Sequence, residues 1–263
     1  LCLGLGLMVG LALSCTALSL ALAATARAVS ATKRSLVLGT VSAAGSIGSF
    51  IAAPLAQGLI SSDGWVMAMV AFLGLCAVMV PAAYFVGSGD KTAMQISQNS
   101  KEPDANLTLK GVLNEAGNHK GYVTMAGAYF VCGLQLIFIA VHLPAYLEIC
   151  GQTPELSAQA LAVIGGFNAV GCYLLGWMGG KFPKHVLLGG VYILRSGFIV
   201  VYFMIPATPT TTLVFAAVMG LLWLGVAPLV TGLVSQIFGL RYVATLTGVA
   251  FFCHQTGSFV GAW

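Results

Sequence analysis

Charged residues are scarce in this sequence, whose 263 residues include 11 Lys and Arg and 7 Asp and Glu. These make up 7% of the chain, whereas an ordinary soluble protein carries about 25% charged residues. Hydrophobic residues make up 59%, which excludes a soluble globular domain. The net charge of +4 is too small and too scattered to follow nucleic-acid phosphates, so nucleic acid is excluded as a partner.

The sequence also lacks the spacings that metal sites, redox centres and phosphate-binding loops require. Its seven cysteines include no CxxC pair, and all except Cys150 lie within apolar runs, where we interpret them as packing residues. Neither an HExxH sequence nor a nucleophile–base pairing appears. We therefore predict no catalytic residue, no metal, no cofactor and no enzymatic activity.

Long apolar segments make up most of the chain. A helix needs about 20 mostly apolar residues to cross a bilayer, and the alternation typical of barrel strands is absent. The sequence thus predicts an all-α integral membrane protein with eight spanning helices, embedded in the lipid bilayer. Their approximate ranges are 3–26, 36–60, 65–87, 121–147, 157–180, 186–205, 210–238 and 242–263.

Segment 88–120 is the longest polar stretch. We interpret it as a cytoplasmic linker with a short amphipathic helix near Leu107–Glu115. With eight spans, every Lys and Arg except Arg195 falls on the side of this linker. Such an asymmetry is typical of cytoplasmic loops, and it predicts a multi-pass protein of the cytoplasmic or plasma membrane.

An internal repeat relates residues 39–53 to residues 248–262. At one common offset Gly39, Gly48 and Phe50 match Gly248, Gly257 and Phe259. Repeats in the same direction are typical of transporters built from two parallel halves. On this pattern we expect the fourth to eleventh of twelve helices: the last three of an N-terminal six-helix bundle in 1–87, a linker in 88–120, and the first five of a C-terminal bundle in 121–263.

The turn from Gly176 to His185 resembles a family signature, the G-x-L-[GA]-D-[RK]-x-G-[RK]-[RK] sequence of the major facilitator superfamily. The matching residues of this conformational turn are Gly176, Gly179, Lys181 and Lys184. Gly180 stands where the signature has Asp. The resemblance covers essentially the whole chain, and it implies a transporter with two six-helix bundles around a central solute site.

Two further segments, 142–146 and 164–171, resemble the oxalate/formate antiporter and monocarboxylate transporter branch of that superfamily. Monocarboxylate transporters carry an acid and an Arg one turn apart in the helix that matches the fifth span. Asn168 and Cys172 occupy those positions here. The branch therefore implies an antiporter-like protein without determining the solute.

Polar side chains inside the predicted spans are candidates for a solute-binding or coupling site, because burying them in a bilayer is costly. The candidates are Arg195, His254, Gln255, His142, Gln135 and Asn168. Arg195 can face a solute, a carboxylate on another helix, or backbone carbonyls. Oxalate/formate antiporters carry a functional Lys on the helix that matches the eighth span; this span has no Lys here, and His254 can supply a titratable donor instead. His142 also fits a residue of the wet interface, and Asn168 an interhelical hydrogen bond.

These features together predict a secondary active transporter that works by alternating access. The predicted spans contain one Arg and no central acid, so the expected partner is a small organic anion such as a carboxylate, with the coupling ion or exchange solute left open. The alternative is a proton-coupled exporter of hydrophobic or drug-like compounds. A membrane-embedded enzyme or a non-transporting receptor would need paired acids or a larger extramembrane module.

Cysteine labelling in intact cells tests the predicted topology. In a variant without native cysteines, Ser62→Cys lies in an expected external loop and Ser97→Cys in the cytoplasmic linker. A membrane-impermeant maleimide is expected to label the Ser62 variant in intact cells and the Ser97 variant only after permeabilisation. Labelling of the Ser97 variant in intact cells would overturn the whole topology.

Overall fold

The computed structural model describes residues 18–99 and 108–263, together with Leu7 and Leu11. Within this part the regular elements are all helices, in agreement with the all-α prediction. In chain order they are α1 (Leu18–Ala28), α2 (Ala31–Asn99), α3 (Leu109–Asn118), α4 (Lys120–Ile149), α5 (Pro154–Met178), α6 (Lys184–Met204), α7 (Pro209–Leu221), α8 (Val226–Phe238) and α9 (Val243–Ala262).

Six segments of the described chain are long and apolar enough to cross a membrane. They are Ala31–Ala52, Gly58–Phe85, Lys120–Ile149, Pro154–Met178, Lys184–Met204 and Pro209–Phe238. The predicted number of eight spans is therefore wrong. Most of the first predicted span lies outside the described residues, and its remainder is the shorter helix α1. The eighth forms helix α9, in which His254, Gln255 and several Thr, Ser and Gly residues lower the apolar content.

The helix α2 is interrupted once, at Gly64, where φ is 83° and ψ is 169°. Glycine adopts a positive φ at little steric cost, so this residue makes the junction in the expected loop at 61–64. Beyond it the helix continues to Asn99, past the predicted span end at residue 87 and into the segment interpreted as a linker.

The predicted short amphipathic helix before the fourth span is confirmed as α3. Its first turn is capped by Thr108, whose hydroxyl accepts a 3.2 Å hydrogen bond from the Gly111 N–H. Val112 and Ala116 are buried one turn apart on the same face. This face packs against α4.

Close backbone contacts at glycines join two pairs of helices. A Cβ atom on Gly176 of α5 would lie 2.6 Å from the Cα of Gly39 in α2, and one on Gly257 of α9 would overlap the Phe130 carbonyl of α4. In the sequence repeat Gly39 matches Gly248, and Gly257 matches Gly48. A Cβ atom on Gly248 or Gly48 would have no atom within 4 Å. The repeated glycines therefore meet different neighbours, because α2 packs along α5 whereas α9 packs along α4.

The loops lie at two ends of the bundle with different charge. At one end Gln152, after α4, donates a 2.8 Å hydrogen bond to the Ala207 carbonyl before α7. At the other end Gly179 lies against Ser35, and Lys184 packs over Gly232. Basic residues lie at this second end and acidic residues at the first: Arg34, Lys181 and Lys184 against Glu148 and Glu155. The cytoplasmic assignment of the basic end stays a prediction.

Substitution of Gly176 tests the contact between α2 and α5. Gly176→Ala is expected to destabilise the protein by roughly 1–3 kcal/mol, because the added methyl group must displace backbone. The measurement is thermal unfolding in detergent. Gly189→Ala is the matched control, since Gly189 lies in a helix and has no atom within 4 Å of an added Cβ. Equal melting temperatures for the two variants would contradict the close contact.

Candidate functional site

The apolar segment Pro209–Phe238 is broken at residues 222–225, between α7 and α8. Pro228 lies in the first turn of α8, a position that suits proline because an N–H there has no partner within the helix. The break leaves several backbone groups without partners within the helix. Lipid cannot hydrogen-bond them, so neighbouring side chains must do so.

Arg195 of α6 binds the carbonyls at this break. Its side chain is completely buried, and Nη2 donates to the carbonyl oxygens of Leu222 and Trp223, the latter at 2.9 Å. Nη1 donates to the Cys132 sulfur at 2.9 Å, and the guanidinium carbon lies 5.8 Å from the centre of the Tyr192 ring. Of the three alternatives that the sequence leaves for Arg195, the structure shows backbone carbonyls.

Asn168 of α5 binds the same break from another side. Its Oδ1 accepts a 2.9 Å hydrogen bond from the Leu224 N–H, and its Nδ2 donates a 2.9 Å bond to the Ser46 hydroxyl of α2. The thiol of Cys172 lies 3.6 Å from the same Oδ1. Asn168 therefore makes the interhelical hydrogen bonds typical of an uncharged polar residue in a span.

A small pocket lies between α1, α4, α8 and α9. Its apolar lining consists of Leu18, Leu22, Ala227 and Phe251, and its polar lining of Ser19, Tyr129, Thr231 and Thr247. The hydroxyls of Thr231 and Thr247 are buried and have no hydrogen-bond partner among the described residues. Buried hydroxyls without partners are costly, and the pocket beside them, about 10 Å³ in volume, has room for about one water molecule.

His254 lies directly behind the pocket wall. Its ring centre is 4.7 Å from that of Tyr129 and 5.6 Å from that of Phe251, and both of these rings line the pocket. Its Nδ1 lies 3.1 Å from the Gln255 Oε1. In the described part of the chain, its buried Nε2 has no partner.

The other polar candidates lie away from the pocket lining. Gln135 donates a 3.2 Å hydrogen bond to the Ser196 hydroxyl. His142 is half-buried, with its ring centre 4.9 Å from that of Phe138. Gln255 is exposed on α9. His254 therefore lies behind two lining residues of the pocket, and neither it nor Gln135, His142 or Gln255 belongs to the lining.

Residues of the signature turn pack the basic end of the bundle. Gly176 and Gly179 lie against α2, and Gly180 follows the end of α5. The Lys181 ammonium lies 3.9 Å from the centre of the Trp177 ring, and Lys184 packs over α8. These contacts place the turn at the junction of α2, α5 and α8.

Sequence reasoning missed the hydroxyl residues of the pocket, Ser19, Tyr129, Thr231 and Thr247. One signal was available in α9, where Thr247, Phe251 and His254 recur at helical spacing and share one face. Single hydroxyls in apolar helices are usually bonded to their own backbone, as Thr256 is to Phe252. Only the packing of the surrounding helices shows whether a hydroxyl lines a pocket or bonds its own backbone.

The fold and the pocket together define a polytopic helical membrane protein with a small pocket of mixed lining between its helices. A comparison with protein families matches residues 1–262 to the Major Facilitator Superfamily. The chain belongs to this superfamily, which is a family of transporters, and the predicted resemblance is confirmed at that level. A comparison with curated proteins finds no match.

Removing the Arg195 side chain tests its role at the break. Arg195→Gln is expected to leave buried carbonyls without donors, at about 1–3 kcal/mol each, and to lower the melting temperature in detergent by several degrees. Arg195→Lys is expected to restore part of the loss because an ammonium can still donate. Lys181→Gln, which removes an exposed cation, is the control. Normal melting of Arg195→Gln would contradict the structural role.

Proposed function

We propose that this protein is a secondary active transporter of a small organic anion, such as a carboxylate, and that the solute site forms when the small pocket between α1, α4, α8 and α9 widens. The observation that carries the proposal is the pair of partnerless hydroxyls, Thr231 and Thr247, in the pocket lining. Hydroxyls donate hydrogen bonds to carboxylate oxygens. When protonated, His254 adds positive charge behind them.

The charge around the pocket supports an anion. Among the described residues no Asp or Glu lines it, whereas a cationic solute would need a carboxylate to offset its desolvation. Arg195 stands outside the lining, yet its buried charge adds positive potential because the interior of a membrane protein screens charge weakly. We therefore assign Arg195 an indirect electrostatic effect on the solute.

The position of the pocket suits alternating access. Its lining combines α1, from the proposed N-terminal bundle, with α4, α8 and α9, from the proposed C-terminal bundle. A solute between two bundles contacts both, and their relative rocking can expose it to either side of the membrane. The similarity of segments 142–146 and 164–171 to the oxalate/formate antiporter and monocarboxylate transporter branch supports exchange of one anion for another across the cytoplasmic or plasma membrane.

A second candidate is a proton-coupled exporter of hydrophobic compounds. The observation that favours it is the apolar part of the lining, Leu18, Leu22, Ala227 and Phe251. In this case His254 carries the coupling proton, and the threonine hydroxyls contribute little to solute affinity.

Uptake into proteoliposomes tests the anion proposal with labelled oxalate, formate and lactate. Thr231→Val and Thr247→Val remove the hydroxyls at nearly constant shape. Each is expected to raise the KM about fivefold, the effect of losing one hydrogen bond of about 1 kcal/mol. Thr256→Val on the exposed side of α9 is the matched control.

Two results would contradict the proposal. One is an unchanged KM for both pocket variants while their expression and melting match those of the control. The other is export of a hydrophobic dye by a protein that takes up none of the three carboxylates, which would favour the second candidate.

A further inference from the structure

Two consecutive hydrogen bonds connect the helix break with α2, and a third continues within α2. The Leu224 N–H donates to Asn168 Oδ1 at 2.9 Å, and Asn168 Nδ2 donates to Ser46 Oγ at 2.9 Å. The Ser46 hydroxyl in turn donates to the Ser42 carbonyl at 3.0 Å. Asn168 and Ser46 are 5% and 6% exposed, so water does not compete for these bonds.

The two ends of this series of hydrogen bonds have different surroundings. Leu224 lies in the break, and α8 begins two residues later with Ala227 and Thr231 in the pocket lining. The position of Leu224 therefore sets where the pocket residues of α8 lie. Ser46 lies on α2, two turns after Gly39 at the glycine contact with α5.

We propose that Asn168 is a positioning residue that couples the packing of α2 against α5 to the position of the α8 wall of the pocket. The coupling follows from the planar carboxamide, in which Oδ1 and Nδ2 belong to one rigid group. A rotation that follows Ser46 also carries Oδ1 away from Leu224. This inference rests on the alternating-access function proposed above, in which α2 and α5 belong to different bundles.

The cost of an unpaired polar group favours keeping or losing both bonds of Asn168, to Ser46 and to Leu224, together. If α2 leaves α5, an amide donor of Asn168 loses its partner in a low-dielectric interior, where unpaired polar groups are costly. Reorientation of Asn168 toward another acceptor then frees the Leu224 N–H. Separation of α2 and movement of the break are thus expected to occur together.

The test uses Trp223, which lies in the break and is half-buried, as a fluorescent reporter. Trp65, Trp177 and Trp263 are changed to Phe so that it is the single tryptophan. Ser46→Ala cuts the bond to α2 without touching the break. It is expected to increase acrylamide quenching of Trp223 and to shift the ratio of the two arrangements about fivefold, the factor for one hydrogen bond.

Ser42→Ala is the matched control, because Ser42 is a buried serine of the same helix face whose hydroxyl has no described partner. It is expected to leave quenching unchanged. Equal quenching in the two variants would overturn the proposal, as would a lower melting temperature of Ser46→Ala with no change at Trp223. No solute is added, so the result does not depend on the solute being a carboxylate.

A double-mutant cycle tests whether the effect passes through Asn168. Asn168→Ala is expected to increase quenching at least as much as Ser46→Ala, and adding Ser46→Ala to it is expected to have no further effect. Additive effects would contradict the coupling. If Asn168→Ala is not folded, the comparison of Ser46→Ala with Ser42→Ala decides by itself.

Discussion

The hydrogen bonding of one interrupted helix is the constraint on which the rest of this structure depends. The apolar segment Pro209–Phe238 is interrupted at residues 222–225, and the freed backbone groups lie where lipid offers no partner. Arg195 supplies donors for two carbonyls, and Asn168 an acceptor for one N–H. These bonds draw α5 and α6 onto the break and set the start of α8.

The candidate solute site follows from this arrangement. Because α8 starts anew after the break, Thr231 lies against Thr247 of α9 in a pocket that also contacts α1. Both hydroxyls are without partners in the part of the chain that the structure describes, and His254 lies behind the aromatic side of the pocket. Sequence reasoning had left a solute and backbone carbonyls as alternatives for Arg195, and in the structure Arg195 binds backbone while hydroxyl groups line the pocket.

Particular residues show how far prediction from the sequence reached. Arg195, Asn168 and His254 stood out because polar groups are rare in apolar segments, and all three are buried. The prediction of eight spans was wrong at α9. This helix is long enough to cross a bilayer, but its polar and small residues lower its mean hydropathy. The glycine repeat was visible in the sequence, yet Gly39 and Gly257 are crowded while Gly248 and Gly48 are not, since close approach depends on the neighbouring helix.

The sequence by itself determined the membrane class, the helical fold, the charge asymmetry and the superfamily, because composition and apolar run length act locally along the chain. Tertiary structure decided which acceptor Arg195 binds, which hydroxyls line the pocket and which glycines carry helix contacts. Within a single helix, the side chain of an Arg or a Thr can adopt several rotamers, and the helix alone does not determine which partner it binds. Only the packing of α1, α4, α5, α6 and α8 selects the partner, because each hydrogen bond requires atoms from segments far apart in the chain.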